Sequence, residues 1–275
     1  MTAVAAFQHA VQRARRRIAA WTPIRVVGRG AYDIVFEHGL THNGCRGVYD
    51  SFEEAARAAP STRLLGYDQP GFGEYYREHL EAPRPTDYPV LFWLRTLMPE
   101  VRRVFDFGGH VGIAYYAFRR HLAYRADLQW TVCDVPSTVR AGEALARTRG
   151  AGHLAFTSSP AVGDGSDVLH ASGSLQYLDD GFLVSTLRSY RERPRHVFVN
   201  LTPLHDRRRF FTVQCTGVAY HPYTIAHRGA LVADMASLGY ELVDRWDCPR
   251  KFEIPYHEGY ELDAYAGLYF RSSRG

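Results

Sequence analysis

The sequence predicts an α/β fold: a mostly parallel seven-stranded sheet with a last antiparallel strand, helices on both faces, and a helical N-terminal cover. Three observations predict it. From Val101 onward, strand-like and helix-like segments alternate, as parallel strands joined by right-handed crossover helices require. The first strand runs into "VFDFGGHVG", Val104–Gly112, where an acid and three glycines mark a strand-to-helix turn. The last two strand-like segments have no helix between them, which calls for an antiparallel pair at the end of the sheet.

The elements follow in order. A basic helix is expected over Val4–Trp21, carrying "RARRR" on a solvated face, and then an irregular Gly-rich stretch, "GRGAYDIVFEHGLTHNGCRGVYD". Ser51 with Glu54 forms an S-x-x-E box that should start a short helix in "SFEEAARAA". Pro83, Pro85 and Pro89 interrupt the chain, after which "VLFWLRTLM" reads as a buried helix. Strands are expected in "RRVFDFG", "LQWTVCDV", "HLAFTSS", "DVLHASGS", "RHVFVNLT", "YELVDRWDC" and "DAYAGLYFRS". Helices are expected in "GIAYYAFRRHLA", "STVRAGEALARTRG", "DDGFLVSTLRSYRE" and "TIAHRGALVADMASLG". Residues 1–84 then form the cover and 85–275 the sheet domain.

Composition bounds the function. No apolar run approaches the roughly 18–20 residues that cross a bilayer, so a cytoplasmic protein without membrane insertion is expected. Net charge is +4, and of 33 basic residues only Lys251 is a lysine. The arginines are scattered among 29 acids, which speaks against a nucleic-acid face. Cys45, Cys133, Cys215 and Cys248 are far apart with no metal-ligand spacing, so four buried free thiols and no metal are expected.

In an open α/β sheet, ligands bind beyond the carboxyl ends of the strands. Gly108 and Gly109 can take positive φ and admit a ligand to the backbone, and Gly112 would open the helix. The second strand also ends in an acid, Asp134, whose two oxygens suit the hydroxyls of a ribose. A dinucleotide turn wants G-x-G-x-x-G, whereas this turn begins with an acid, Asp106. A carboxylate facing the turn would repel a pyrophosphate and welcome an ammonium. S-adenosylmethionine is therefore the expected cofactor, ahead of NAD.

"FDFGGHVG" resembles the acid-x-Gly-x-Gly-x-Gly motif of class I S-adenosylmethionine-dependent methyltransferases, with His110 in place of the middle glycine. "CDVP" resembles the acid that ends their second strand. Together with "GVYDSFEEA", "DYPVLFWL", "SGSLQYLDD" and "ELVDRWDCP", these segments are similar to a family of bacterial methyltransferases. Its members are associated with cell-surface polysaccharide or natural-product gene clusters. The resemblance spans roughly residues 45–270 and implies a Rossmann-like methyltransferase fold. It places Asp106, Gly108 and Gly112 beside the methionine part of the cofactor and Asp134 beside the ribose. Gly109, His110, Val135 and Ser172 join the cofactor site. Where relatives hold the adenine with an Asp, "TSSP" offers Ser158 or Ser159. Tyr88 is expected to line the cofactor cleft.

Related O-methyltransferases carry a catalytic His after the fourth strand, and this sequence places Gln176 there. A glutamine cannot take a proton but can hold an acceptor. His205, followed by Asp206 beyond the fifth strand, is the expected base if one is used; His221 and His227 suit packing or a cap, and His170 a core position. The implied activity is O-methylation of a small molecule or sugar. Two alternatives are a methyltransferase-fold protein that binds the cofactor but catalyses a different reaction, and a non-catalytic binding module. The expected partner is a small-molecule or sugar acceptor, and a homodimer is left open.

Overall fold

The computed structural model describes residues 28–68 and 77–273. The basic helix expected over Val4–Trp21 lies outside the described residues. The described residues divide into two units: one holds those up to Gly66, Phe210–Tyr223 and Glu253–Glu261, and the other those between Tyr67 and Arg209, Thr224–Phe252 and those from Leu262.

The first unit is built on α1 (Arg29–Glu37), β1 (Gly44–Tyr49), α2 (Phe52–Arg57) and β2 (Leu64–Leu65), with β9 (Phe210–Cys215) and the start of β10 (Ala219–His227). Ser51 caps α2 as its box predicts, accepting the Glu54 N–H at 3.1 Å. Strands β1 and β9 pair antiparallel. Phe211, Val213 and Cys215, at alternate positions, share a core with Tyr32, Phe36 and Ala55, the period-2 burial of a sheet face. The sequence expects a loop over this segment and a helix from Thr224. Instead the strand β10 runs on to His227, whose Nδ1 accepts the Ala230 N–H at 3.0 Å and caps α7 (Arg228–Ser237). Aromatic and β-branched residues in "FFTVQC" and "AYHPYTIAH" favour the pleated strand over the helix.

The second unit contains α3 (Tyr88–Leu97), β3 (Arg103–Phe107), α4 (Ile113–Phe118), β4 (Gln129–Cys133), α5 (Pro136–Arg149), β5 (Leu154–Thr157), β6 (Val168–Ser172), α6 (Phe182–Ser189), β7 (His196–Thr202), β8 (Leu204–His205), α7, β11 (Tyr240–Cys248) and β12 (Tyr265–Ser272). The seven-stranded sheet has the order β11-β12-β7-β6-β3-β4-β5. Strands β5, β4, β3, β6 and β7 run parallel, and β12 is antiparallel to both β7 and β11. This is the mostly parallel sheet with a final antiparallel strand that the sequence predicts.

Apolar side chains cover both faces, as a parallel sheet requires. On one, Val104, Trp130 and Phe198 pack with Leu91 and Leu94 of α3 and Tyr115 and Phe118 of α4. On the other, Phe105, Leu169 and Val197 pack with Leu183 and Leu187 of α6 and Met235 of α7. No helix among the described residues is long and apolar enough to cross a membrane.

Candidate functional site

The turn between β3 and α4 lies at the carboxyl end of the sheet, beside the point where strand order reverses between β3 and β6. Gly108 has φ +69° and donates its N–H to Cys133 O at 2.7 Å, stitching the turn to β4. A Cβ at this position would lie 2.2 Å from the Ser174 Cβ, so neither the conformation nor the space accepts a side chain. Gly112 has φ +90° and N-caps α4. His110 also holds a positive φ, +57°, a conformation His adopts more readily than bulkier residues do.

Asp134 sits at the end of β4. One of its oxygens accepts the His110 N–H at 2.9 Å and the other the Val135 N–H at 2.8 Å. The carboxylate is thereby fixed with lone pairs to spare, since each oxygen can accept twice. Burial raises its pKa to about 6, against the opposing pull of these two backbone donors. Ser158 and Ser159 are exposed beyond β5, the strand next to β4, where the Asp134 N–H donates to Thr157 O at 3.0 Å. Gly108, Gly109, His110, Gly112, Asp134, Val135, Ser158 and Ser159 therefore gather along one edge.

Asp106 is a correction to the electrostatic argument made from the sequence. Its side chain is only 1% exposed and faces the interior, not the turn's open side. Its oxygens meet Trp130 Nε1 at 3.2 Å and His170 Nδ1 at 2.9 Å. A Cβ on Gly109 would come within 2.5 Å of the carboxylate, so Asp106 underlies the turn and supports it from below. Burial on an apolar face demands such partners for a carboxylate, and Trp130 and His170 supply them. His170 is accordingly a core residue.

Tyr88 opens α3. It is exposed, with its ring 6.5 Å from that of His121.

Gln176 lies on a 3-10 turn after β6 and is buried, with its Oε1 accepting no hydrogen bond. A buried acceptor left unpaired costs about 1–3 kcal/mol, a cost that a bound donor would remove. His205 is buried, and its Nδ1 accepts the N–H groups of Arg207 at 2.9 Å and Arg208 at 3.2 Å. Those two donors commit Nδ1 as an acceptor, so the neutral ring carries its proton on Nε2. In that tautomer neither nitrogen is available to take a proton, and the base role expected for His205 does not fit this geometry. Asp206 pairs with Arg228 at 3.0 Å and does not contact the imidazole as a triad acid would.

The structure adds a polar cluster of which the sequence analysis named only Ser172. Arg84 donates from Nε and Nη2 to the two oxygens of Asp87, at 3.0 and 2.9 Å, and from Nη2 to Ser172 Oγ at 2.9 Å. Asn200 donates to Asp87 at 3.2 Å and to Ser172 at 3.0 Å, and its Oδ1 accepts from Trp246 at 3.0 Å. Leu201 follows with φ +50°, where the β7–β12 register shifts; such a bulge re-aims neighbouring side chains. The sequence signal was small: Arg84 and Asp87 lie three apart in a proline-flanked turn.

No protein-family model and no curated protein matches the chain. Among solved structures it is similar to the CcbJ methyltransferase from Streptomyces caelestis (TM-score 0.49, 15% identity, 75% of this chain and 99% of that one). It is similar to the Burkholderia thailandensis 1,6-didemethyltoxoflavin-N1-methyltransferase, solved with 1,6-didemethyltoxoflavin and S-adenosylhomocysteine (TM-score 0.46, 16% identity, 68% of this chain and 78% of that one). It is also similar to the mitomycin 7-O-methyltransferase MmcR (TM-score 0.42, 15% identity, 68% of this chain), of whose length it spans about half, 54%. At these identities the similarities do not assign an activity.

Proposed function

We propose that the chain is an S-adenosylmethionine-dependent methyltransferase that transfers the methyl group to an oxygen of a small molecule or sugar. One observation carries this reading: the Asp134 carboxylate is fixed by a backbone N–H of the turn after β3, at the carboxyl edge of a sheet whose final strand is antiparallel. A carboxylate held beside a glycine turn suits a ribose that lies across that turn, and Ser158 and Ser159 flank the position for the base. Bound there, the cofactor would supply an electrophilic methyl group on sulfur.

The chain's own contribution is placement. Methyl transfer needs in-line approach, and fixing two reactants can supply several kcal/mol of the barrier reduction. Gln176 would hold the acceptor by the free carbonyl oxygen of its amide. With Gln176 untitratable and His205 committed to backbone donors, an acceptor hydroxyl that ionises readily fits best.

Calorimetry with S-adenosylhomocysteine tests the reading. Binding is expected, with Asp134→Ala weakening it by about 1–3 kcal/mol; no heat and no thermal shift at millimolar ligand would overturn it. That Gln176 cannot titrate and that His205 Nδ1 is committed to backbone donors supports a second reading, in which the same cofactor serves a different reaction. The two part on whether S-adenosylhomocysteine accumulates during turnover.

A further inference from the structure

We infer that Arg84, clamped by Asp87 and Ser172, receives the carboxylate of the cofactor's amino-acid tail; this rests on the function proposed above. The clamp is unusually complete. Asp87 is 3% exposed, and its carboxylate accepts from Arg84 N, Nε and Nη2 and from Asn200 Nδ2. The guanidinium is therefore locked in plane, while its side chain keeps 26% of its surface open. Among the described residues nothing accepts from Nη1. An immobilised guanidinium whose two Nη1 hydrogens remain unused is suited to a further anionic acceptor such as a carboxylate oxygen.

The location favours the cofactor's tail. Ser172, which Arg84 touches, ends β6, and Ser174 two residues later donates to Phe107 O at 2.8 Å and packs on Gly108. Arg84 is thus one side chain removed from the loop that lies against the glycine turn. On the turn's far side, His110 holds Asp134. The sheet order β4-β3-β6 sets the ends of β4 and β6 two strand spacings apart, about 10 Å. A ligand with its ribose at Asp134 and its body across the turn brings its opposite end to Ser172 and Arg84. For a nucleoside joined to an amino acid, that end is a carboxylate.

The alternative is that Arg84 only staples the chain before α3 to β6 and β7. Calorimetry separates the two, comparing S-adenosylhomocysteine with its decarboxylated analogue, which keeps the amine. The unmodified chain should prefer the carboxylate-bearing ligand by about ten- to a hundredfold, the worth of a charge-assisted pair. Arg84→Gln should erase that preference and leave affinity for the decarboxylated analogue unchanged. A preference that survives in Arg84→Gln, or an equal fall for both ligands, overturns the inference. If Arg84→Gln does not fold, Arg84→Lys carries the test: loss of the outward Nη1, which the clamp on Asp87 holds in place, should shrink the preference, and an unchanged preference overturns it. Equal affinity of the unmodified chain for both ligands sinks this inference alone. Binding of neither sinks the cofactor reading as well.

Discussion

Asp134, proposed above to hold the ribose, also carries a pH signature in the folded chain itself. Its pKa is raised to about 6 because burial disfavours the charged form. A raised carboxyl pKa means the folded chain holds a proton that the unfolded chain has already released. Its contribution to stability therefore falls as pH rises from the ordinary carboxyl value of 3.8 to about 6 and is level above that. Ligand binding runs the other way, because ribose hydroxyls donate best to the ionised form. S-adenosylhomocysteine affinity, measured by calorimetry, should be level above pH 7 and fall by about tenfold per unit well below the pKa, with Asp134→Asn removing the dependence. Gly108 is the other decisive residue. Gly108→Ala forces a Cβ against Ser174 at a positive φ, so its melting temperature should drop by an amount matching about 1–3 kcal/mol, with cofactor binding lost.

At the scale of the element, the unit that matters is β3, its turn and α4. The strand alternation puts Asp106 on the same face as Val104, where pairing places it opposite Val132 and His170. It consequently acts as a strut beneath the turn. Asp106→Ala would leave Trp130 and His170 with buried polar atoms unpartnered; urea unfolding should show a loss of about 1–3 kcal/mol for each atom so left, and Asp106→Asn a smaller one. That an acid ends β3 was legible in the sequence, as was the strand-turn-helix around it. Which way the acid faces was not, because it depends on the register of β3 against two strands distant in sequence. The same holds for His205. "HDRRRF" announced a histidine near the ligand side, but two backbone N–H groups of a tight turn decide its tautomer. Strands β9 and β10 were missed for another reason: in β9 the apolar Phe211, Val213 and Cys215 do alternate with Thr212 and Gln214, but the whole strand is buried and its partner β1 lies far away in sequence, so no neighbouring element announced a sheet there.

Across the whole molecule, the four cysteines are free and buried, in agreement with their spacing. A thiol reagent should therefore label none of them rapidly in the native chain and all four after denaturation, and a reducing agent should not move the thermal midpoint. Rapid native labelling would contradict the packing described above. The seven-stranded sheet was predicted well because alternating hydrophobic strands and amphipathic helices with short connections leave few topologies open. The grouping of the N-terminal segment with Phe210–Tyr223 and Glu253–Glu261 into one unit joins segments far apart in sequence, and no local pattern encodes such a pairing.

The sequence by itself determined the strand and helix order, the glycine turn after the first sheet strand and the acid that ends the second. Each of these follows from local periodicity or from backbone conformations open to few residues. Only the tertiary structure decided that Asp106 is a buried support, that His205 is committed to its own turn, and that Arg84, Asp87, Ser172 and Asn200 form one cluster. Those outcomes depend on which distant groups share a desolvated space, where each polar atom must find its partner among whatever the fold brings within reach.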